Sequence, residues 1–209
     1  SSKALLFLAL SQQFLLLHWS EEDVYEMLWQ ENLNLAEKTL KLPFLQHMQS
    51  GDLQAENYIN FMIQDIYYLA KVTDMLKEMS KKVQKPPDLK AFMQGRSESY
   101  ERFRTEMLKT FNLKGVSEIK VNPAIEGYLK TYQSVMAKDE PIMFAVSLLP
   151  CSRLWVWLKK SNMGGHPEKH YKALLNKYLT TKDDIKRAKE IFQDQMMNEY
   201  NFFKESLQN

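Results

Sequence analysis

Turn-forming residues are rare in this chain, and their wide spacing constrains its fold more than any other feature. The 209 residues include only 6 glycines, and the turn signals fall at intervals of about 20 to 35 residues, the length of helices in a bundle. No segment alternates apolar and polar residues as a half-buried strand does. The sequence therefore predicts an all-α fold, a bundle of long helices.

Helix boundaries follow from caps, prolines and glycines. Ser20 and the acids after it are typical of a helix start, and Pro43 is expected to kink the first helix or end its regular part. Turns at Gly51 and Pro86 bound the second helix, and Gly164 closes a later one. The predicted helices span roughly residues 20–47, 53–84, 88–111, 123–137, 140–162, 167–179 and 182–207.

Length and composition fit one domain covering residues 1–209. Hydrophobic residues make up 44% and charged residues 26% of the chain, which excludes a disordered protein. The net charge is +2 without a concentrated basic stripe, so no nucleic-acid partner is expected. One cysteine cannot form an internal disulfide and no N-glycosylation sequon is present, which favours a cytoplasmic location.

The first 20 residues form an apolar segment before the bundle at 21–209. Residues 4–17 resemble the apolar part of a signal peptide, but polar residues interrupt them at Ser11 and no cleavage site follows. They are also too short to span a membrane. We expect a docked amphipathic helix and no membrane partner, with a signal or anchor as the open alternative.

The four histidines give little indication of a metal centre. His166 and His170 are four residues apart, which could place two ligands on one helical face. Pro167, however, suits a first helical position and would leave His166 outside the helix. His18 and His47 are isolated, and nothing specific supports heme ligation by either. No metal is therefore expected.

Two acidic residues lie in apolar helical segments. Asp65 shares a helix face with Tyr68, and a buried carboxylate there needs a partner. Glu199 lies between methionines and aromatic residues, where burial would raise its pKa into the range of a general acid or base. Either acid could instead lack a catalytic role. Asp65 could be a structural residue tied to a neighbouring side chain, and Glu199 could be an ordinary surface residue.

The only cysteine of the chain follows a proline inside an apolar run. Pro150 should bend its helix, and such kinks often line cavities. Cys151 and Trp155 share one helix face. The thiol could be a small core side chain or a nucleophile beneath a flat substrate.

Taken in order, these segments resemble the TenA/thiaminase II family from about residue 25 onward. The order and spacing of the motifs are more specific than any single one. The matching residues are Gly51-Asp52-Leu53, Tyr58, Gln64-Asp65-x-Tyr67-Tyr68-Leu69, Tyr132-Gln-Ser-Val, Leu148-Leu149-Pro150-Cys151, Tyr171, Tyr178 and Glu199-Tyr200-Asn-Phe202.

The resemblance implies a heme-oxygenase-like helical fold and an enzyme of thiamin metabolism. Members cleave thiamin or hydrolyse its aminopyrimidine breakdown product to the hydroxymethyl-pyrimidine. By analogy, Cys151 would add to the ring, Glu199 would act as acid and base, and Asp65 would hold the amino group. This chemistry needs no metal or organic cofactor. The resemblance also implies a homo-oligomer, a dimer or a tetramer.

Further ring-binding residues follow from the same resemblance. Tyr68 and Tyr178 would stack on the pyrimidine or hydrogen-bond to it, and Trp155 stands where the family usually has a tyrosine. Tyr128 is adjacent to the position that aligns with another family tyrosine.

The chain departs from the family pattern at two places. Arg153 replaces the aromatic residue usually found two places after the cysteine, and the span between Tyr178 and Glu199 is about one helix shorter than usual. An alternative function is therefore a non-catalytic helical protein that binds a planar ligand or acts as an interaction module. A heme or redox enzyme is a third, less supported alternative.

Overall fold

The computed structural model describes residues 23–159 and 168–207, and every regular element in those ranges is an α-helix. The helices are α1 Val24–Glu31, α2 Leu33–Leu40, α3 Pro43–Ser50, α4 Ala55–Lys82, α5 Pro87–Thr110, α6 Pro123–Lys138, α7 Pro141–Lys159, α8 Glu168–Tyr178 and α9 Lys182–Glu205. The all-α prediction is confirmed.

The single helix predicted for residues 20–47 is wrong, because three short helices occupy this part. Asp23 caps α1 by accepting a hydrogen bond from the Glu26 backbone N–H at 3.1 Å, whereas the predicted cap Ser20 lies outside the described residues. Asn32 ends α1, and its side-chain amide donates to the Leu28 carbonyl at 2.8 Å. Such local bonds compete with helix propagation. Pro43 begins α3 rather than kinking a longer helix.

The other predicted helices agree with the structure to within a few residues. Gly51 ends α3 with φ at 74°, a left-handed conformation that glycine adopts without strain. Residues 111–122 join α5 to α6 without regular structure. The predicted turn at Gly164, the predicted metal-spacing residue His166 and the apolar segment 1–20 lie outside the described ranges.

Helix α7 is the central core helix. Every side chain from Ile142 to Pro150 is buried, and the helix packs against α6, α8 and α9. By length and composition α7 could cross a membrane, yet 61% of its apolar window is buried inside the bundle. A helix that is apolar on all sides is also what the centre of a bundle requires.

Two further helices bring their side chains toward α7. Helix α9 packs against both α6 and α7, and α4 packs against α5 and α6. A bidentate ion pair holds the start of α9 to the end of α6, with Arg187 Nε 2.7 Å and Nη2 2.9 Å from the two Asp139 carboxylate oxygens. Bidentate pairs fix orientation as well as distance. The register of α9 places Glu199 in the interior, at 2% exposure.

Candidate functional site

The acids and the thiol singled out in the sequence come together inside the bundle. Asp65 lies on α4, Cys151 on α7 and Glu199 on α9, and the charge of each acid acts on the thiol. Tyr68 on α4 and Tyr128 on α6 complete the group. These five residues, from four helices, are the candidate site.

Glu199 is a buried acid that titrates near neutrality. Its pKa is raised to about 7, mainly by burial and to a smaller extent by the nearby Asp65 charge. A hydrogen bond from the Tyr128 hydroxyl, 2.6 Å from Oε1, opposes this by stabilising the carboxylate. Near neutral pH this carboxyl group can therefore both give and take a proton.

Asp65 is an acid without a hydrogen-bond donor among the described residues. Desolvation raises its pKa to about 7, yet the residue keeps part of its surface accessible. Cys151 shows the same combination of partial accessibility and strong desolvation. Both side chains are therefore largely, but not completely, withdrawn from water. An unpartnered carboxyl group there is suited to a ligand that brings N–H donors.

The Cys151 thiol is held in its protonated form in the resting protein. Burial raises its pKa well above the usual value, and the charges of Glu199 and Asp65 raise it further. A hydrogen bond with Tyr68 acts in the opposite direction. The thiolate therefore has to form by proton transfer to a neighbouring base.

Three tyrosines form a layer beside the thiol. The hydroxyls of Tyr68 and Tyr132 are 2.6 Å apart, and the rings of Tyr128 and Tyr132 stack with centroids 5.4 Å apart and planes 7° apart. Sequence reasoning gave Tyr132 no role, although it follows Tyr128 by four residues and so shares its helix face. That four-residue spacing was the signal from which the position of Tyr132 beside Tyr128 could have been predicted.

A cluster of aromatic side chains surrounds Trp155, which lies one helical turn after Cys151. Its ring lies 5.5 Å from that of Phe203 and 6.2 Å from that of Phe61. Phe61 in turn stacks on Phe202 at 4.8 Å. Edge and offset contacts of this kind hold large rings rigidly. Trp155 thus packs against aromatic residues of α4 and α9, and its role in binding a substrate ring stays a prediction.

Tyr178 is not part of the cluster, and its predicted role in binding the ring is wrong. Its hydroxyl donates to Asp88 Oδ1 at 2.5 Å, at the start of α5, beside the ion pair of Lys177 with Asp88. The tyrosine of this helix that faces Cys151 is instead Tyr171, which is 1% exposed. Its hydroxyl makes no regular hydrogen bond within the described residues, although Ser152 is near enough to lower its pKa.

Arg153 points away from the candidate site toward α1. Its guanidinium lies 4.3 Å from the ring centroid of Tyr25 and 5.0 Å from that of Trp29, and Nη2 is 3.0 Å from a Glu26 carboxylate oxygen. Arg153, which departs from the family pattern, therefore joins two helices. The surroundings of the thiol stay apolar and acidic.

The described histidines lie on the surface. His47 contacts Asp52 at 3.0 Å, and His170 is exposed. Within residues 23–159 and 168–207, no group of three or more histidine, cysteine, aspartate or glutamate side chains is arranged to hold a metal ion.

The fold and the site together define a class of helical bundle with a group of desolvated ionisable side chains at its centre. A family model for the TENA/THI-4/PQQC family matches residues 29–182, and the chain belongs to this family. The predicted resemblance is thereby confirmed. No curated protein sequence matches the chain significantly.

Solved structures confirm the heme-oxygenase-like fold. A TenA homologue from P. horikoshii OT3 matches with a TM-score of 0.71 at 17% identity, over 88% of this chain and 98% of that one. A TenA homologue from Pyrococcus furiosus matches with a TM-score of 0.71 at 15% identity, over 88% and 99%. Heme oxygenase-1 from the cyanobacterium Synechocystis, in complex with heme, matches with a TM-score of 0.62 at 13% identity, over 88% and 91%.

Proposed function

We propose that this protein hydrolyses an aminopyrimidine of the kind left by thiamin breakdown, with Cys151 as the nucleophile and Glu199 as the acid and base. The observation that carries the proposal is the meeting of one thiol and two carboxyl groups, both with a pKa of about 7, beside a layer of tyrosines. Because the solved structures share so little sequence identity with this chain, they support the fold alone. The proposed activity is therefore argued from the residues of the candidate site.

The arrangement complements the edge of an aminopyrimidine. Such an edge carries an amino group next to a ring nitrogen, and a carboxylate can accept from both when the nitrogen is protonated. Asp65 has free acceptor capacity within the described part of the chain. The flat ring would lie between the tyrosine layer and Trp155, where aromatic faces are available.

The proposed reaction moves two protons, both through Glu199, before the carbon–sulfur bond forms. Neutral Glu199 gives its proton to a ring nitrogen, which makes the ring electrophilic. The resulting carboxylate takes the Cys151 proton, and the sulfur bonds to a ring carbon as one ring π bond breaks.

The second half of the reaction restores the protein. The amino group on the exocyclic methylene takes the Glu199 proton and leaves as ammonia, as a ring electron pair forms a double bond to the methylene. Water adds to the methylene and gives its proton back to the Glu199 carboxylate. The carbon–sulfur bond then breaks, and the sulfur takes the proton held by the ring nitrogen, which restores the thiol and the neutral ring. The net change is the replacement of an amino group by a hydroxyl with release of ammonia, so no electrons have to be supplied.

The test is a turnover assay that measures ammonia and hydroxymethyl-pyrimidine with aminomethyl-pyrimidine and with thiamin as substrates. We expect Cys151→Ala to abolish turnover, and Glu199→Gln to lower kcat by about a hundredfold or more, because a general acid/base contributes on that order. Glu190→Gln, on the exposed face of the same helix, is the matched control for the acid.

A tyrosine pair provides a second control in this assay. Tyr128→Phe removes the donor to Glu199 and should lower kcat, whereas Tyr178→Phe alters only the contact with Asp88 and should leave kcat within about twofold. Lack of turnover by the wild type on every thiamin-related pyrimidine would refute the proposal, as would full activity of Cys151→Ala.

The second candidate is a protein that binds a planar ligand at the same residues without catalysis. The observation that favours it is that the largest shifts of the thiol pKa within the described part of the chain come from burial, two acids and a tyrosine, and none of these stabilises the thiolate as a cation would. Isothermal titration with the same pyrimidines separates the two functions. Binding without ammonia release supports the binder, and turnover refutes it.

A further inference from the structure

We infer that Gln195 is a positioning residue: its buried side-chain amide donates to the Ser147 carbonyl and thereby sets the register of α9 against α7. This register keeps the Glu199 carboxyl group level with the Cys151 thiol, one helical turn further along both helices. The inference deepens the proposed function, on which its catalytic consequence rests. The register itself concerns only the protein and can be tested without a substrate.

Helices α7 and α9 run in the same direction, which follows from their contacts with α6. Hydrogen bonds join α6 and its C-terminal cap to α9 along their length, and residue numbers rise on one side as they fall on the other. The pairs are Asp139 with Arg187, Thr131 with Asn198, Tyr128 with Glu199, and Ala124 with Glu205. Helices α6 and α9 are therefore antiparallel. Helices α6 and α7 are antiparallel as well, since two residues join them and they pack together. Helices α7 and α9 are consequently parallel.

A hydrogen bond from Gln195 joins these two parallel helices at a defined height. Its Nε2 donates to the Ser147 carbonyl oxygen at 3.2 Å, and both residues are 0% exposed. Cys151 follows Ser147 by four residues, and Glu199 follows Gln195 by four residues. Residues four apart share a helix face, about 6 Å apart along the axis. The thiol and the carboxyl group therefore come next on the two helices, at the same level.

The Gln195 amide is itself held in one orientation. A backbone carbonyl can only accept, so the amide nitrogen has to face Ser147. The other end of the amide, Oε1, accepts a hydrogen bond from Asn198 Nδ2 at 2.8 Å, and the same nitrogen donates to Thr131 Oγ1 on α6 at 3.1 Å. These bonds tie α9 to both α6 and α7.

A buried polar contact specifies a helix register more sharply than apolar packing does. The neighbours of Gln195 on the inner side of α9 include Phe192 and Met196, both fully buried. Apolar side chains pack in more than one register, whereas a slip of α9 would leave the Gln195 amide and its partners unpaired in the interior. A slip of one turn would also move the Glu199 carboxyl group by about 6 Å.

Alkylation by iodoacetamide measures whether the two groups are level, because the chain has a single cysteine. With a pKa of about 7, the Glu199 carboxyl group is ionised at about pH 8, and its negative charge then opposes formation of the Cys151 thiolate. We expect Glu199→Gln to raise the alkylation rate of the full chain about fivefold, the effect of one nearby charge.

The same pair of rates in a second background tests the role of Gln195. Gln195→Met keeps the length of the side chain and removes the amide. In this background Glu199→Gln should raise the rate less than twofold, because the carboxyl group is no longer held beside the thiol. The ratio within each background cancels any change in access to the thiol. Gln193→Met, the same change on the exposed face of α9, is the matched control and should keep the full factor.

A second variant covers the case in which Gln195→Met does not fold, as judged by circular dichroism. Asn198→Ala removes the donor to Gln195 at a half-buried position and should lower the fivefold factor to about twofold to threefold. A factor that stays near fivefold in Gln195→Met, or in Asn198→Ala where only that variant folds, would overturn the inference. An alkylation rate that does not respond to Glu199→Gln in the wild type would overturn it too.

Steady-state kinetics with aminomethyl-pyrimidine separate positioning from simple stabilisation. Gln195 is fully buried between helices, so we expect Gln195→Met to lower kcat at least tenfold and to leave KM within about twofold. A residue that only stabilises the bundle would leave kcat of the folded protein unchanged, and that result would refute the catalytic consequence. Loss of the alkylation factor in a protein that turns over no pyrimidine would remove the proposed function and leave the register. Turnover with an unchanged factor would remove the inference and leave the function.

Discussion

At the scale of single residues, the interior of this protein holds three groups that water would normally solvate. Asp65, Cys151 and Glu199 are all desolvated, and the charges of the two acids make ionisation of the thiol less favourable. Such an arrangement lowers the stability of the folded state at neutral pH. Ionisable groups that a protein keeps in its interior despite this loss are typical of functional sites. The destabilisation can be measured.

The pH dependence of stability should reveal Glu199. Its pKa of about 7 lies above the ordinary value of 4.5, so the folded state binds this proton more tightly than the unfolded state. The stabilisation is fully present below about pH 4.5 and is lost as the pH rises to about 7. We expect Glu199→Gln to match the wild type near pH 4 and to exceed it above pH 7, by on the order of 3 kcal/mol.

Urea unfolding at a series of pH values measures this difference. The exposed residue Glu190 on the same helix supplies the control, since Glu190→Gln should leave the slope of stability against pH as in the wild type. A constant difference between wild type and Glu199→Gln at all pH values would show that the carboxyl group is not desolvated in the folded protein.

At the scale of elements, Arg153 joins α7 to α1, beside the edge contact of Trp157 with Trp29. The Arg153 side chain is only 12% exposed and lies over Tyr25 and Trp29 while it pairs with Glu26. A planar guanidinium can stack and form hydrogen bonds at once, which an ammonium cannot do. Arg153, two residues after the cysteine, therefore attaches α1 to α7.

Arg153→Ala should lower the free energy of unfolding by on the order of 2 kcal/mol, through lost stacking and packing. Arg153→Lys should recover less than half of this loss. The alkylation rate of Cys151 should stay within about twofold of the wild type in both variants, because the arginine faces away from the thiol. A large change in the thiol rate with unchanged stability would place Arg153 in the site after all.

At the scale of the whole molecule, the homo-oligomer implied by the family resemblance stays a prediction. Tyr58 and Ile59, next to each other near the start of α4, are 43% and 46% exposed. Neighbouring exposed apolar side chains are suited to contact with another copy.

Sedimentation velocity tests this prediction. We expect the wild type to sediment as a dimer or tetramer and Ile59→Glu to shift toward the monomer, because a buried charge without a partner opposes association. Lys82→Glu, at the far end of the same helix, is the control for added negative charge. A wild type that is monomeric at every concentration would refute the prediction.

The amino-acid sequence by itself was enough to predict the helical class, most helix boundaries and the importance of the three ionisable groups at the centre. These features are local: turn chemistry and periodicity act over a few residues, and an acid or thiol in an apolar run is visible without a fold. Tertiary structure decided which tyrosines meet the thiol and where Arg153 points. Tyr132 and Tyr171 lie inside while Tyr178 binds Asp88, because the rotation of each helix about its axis is set by packing against neighbours distant in the chain.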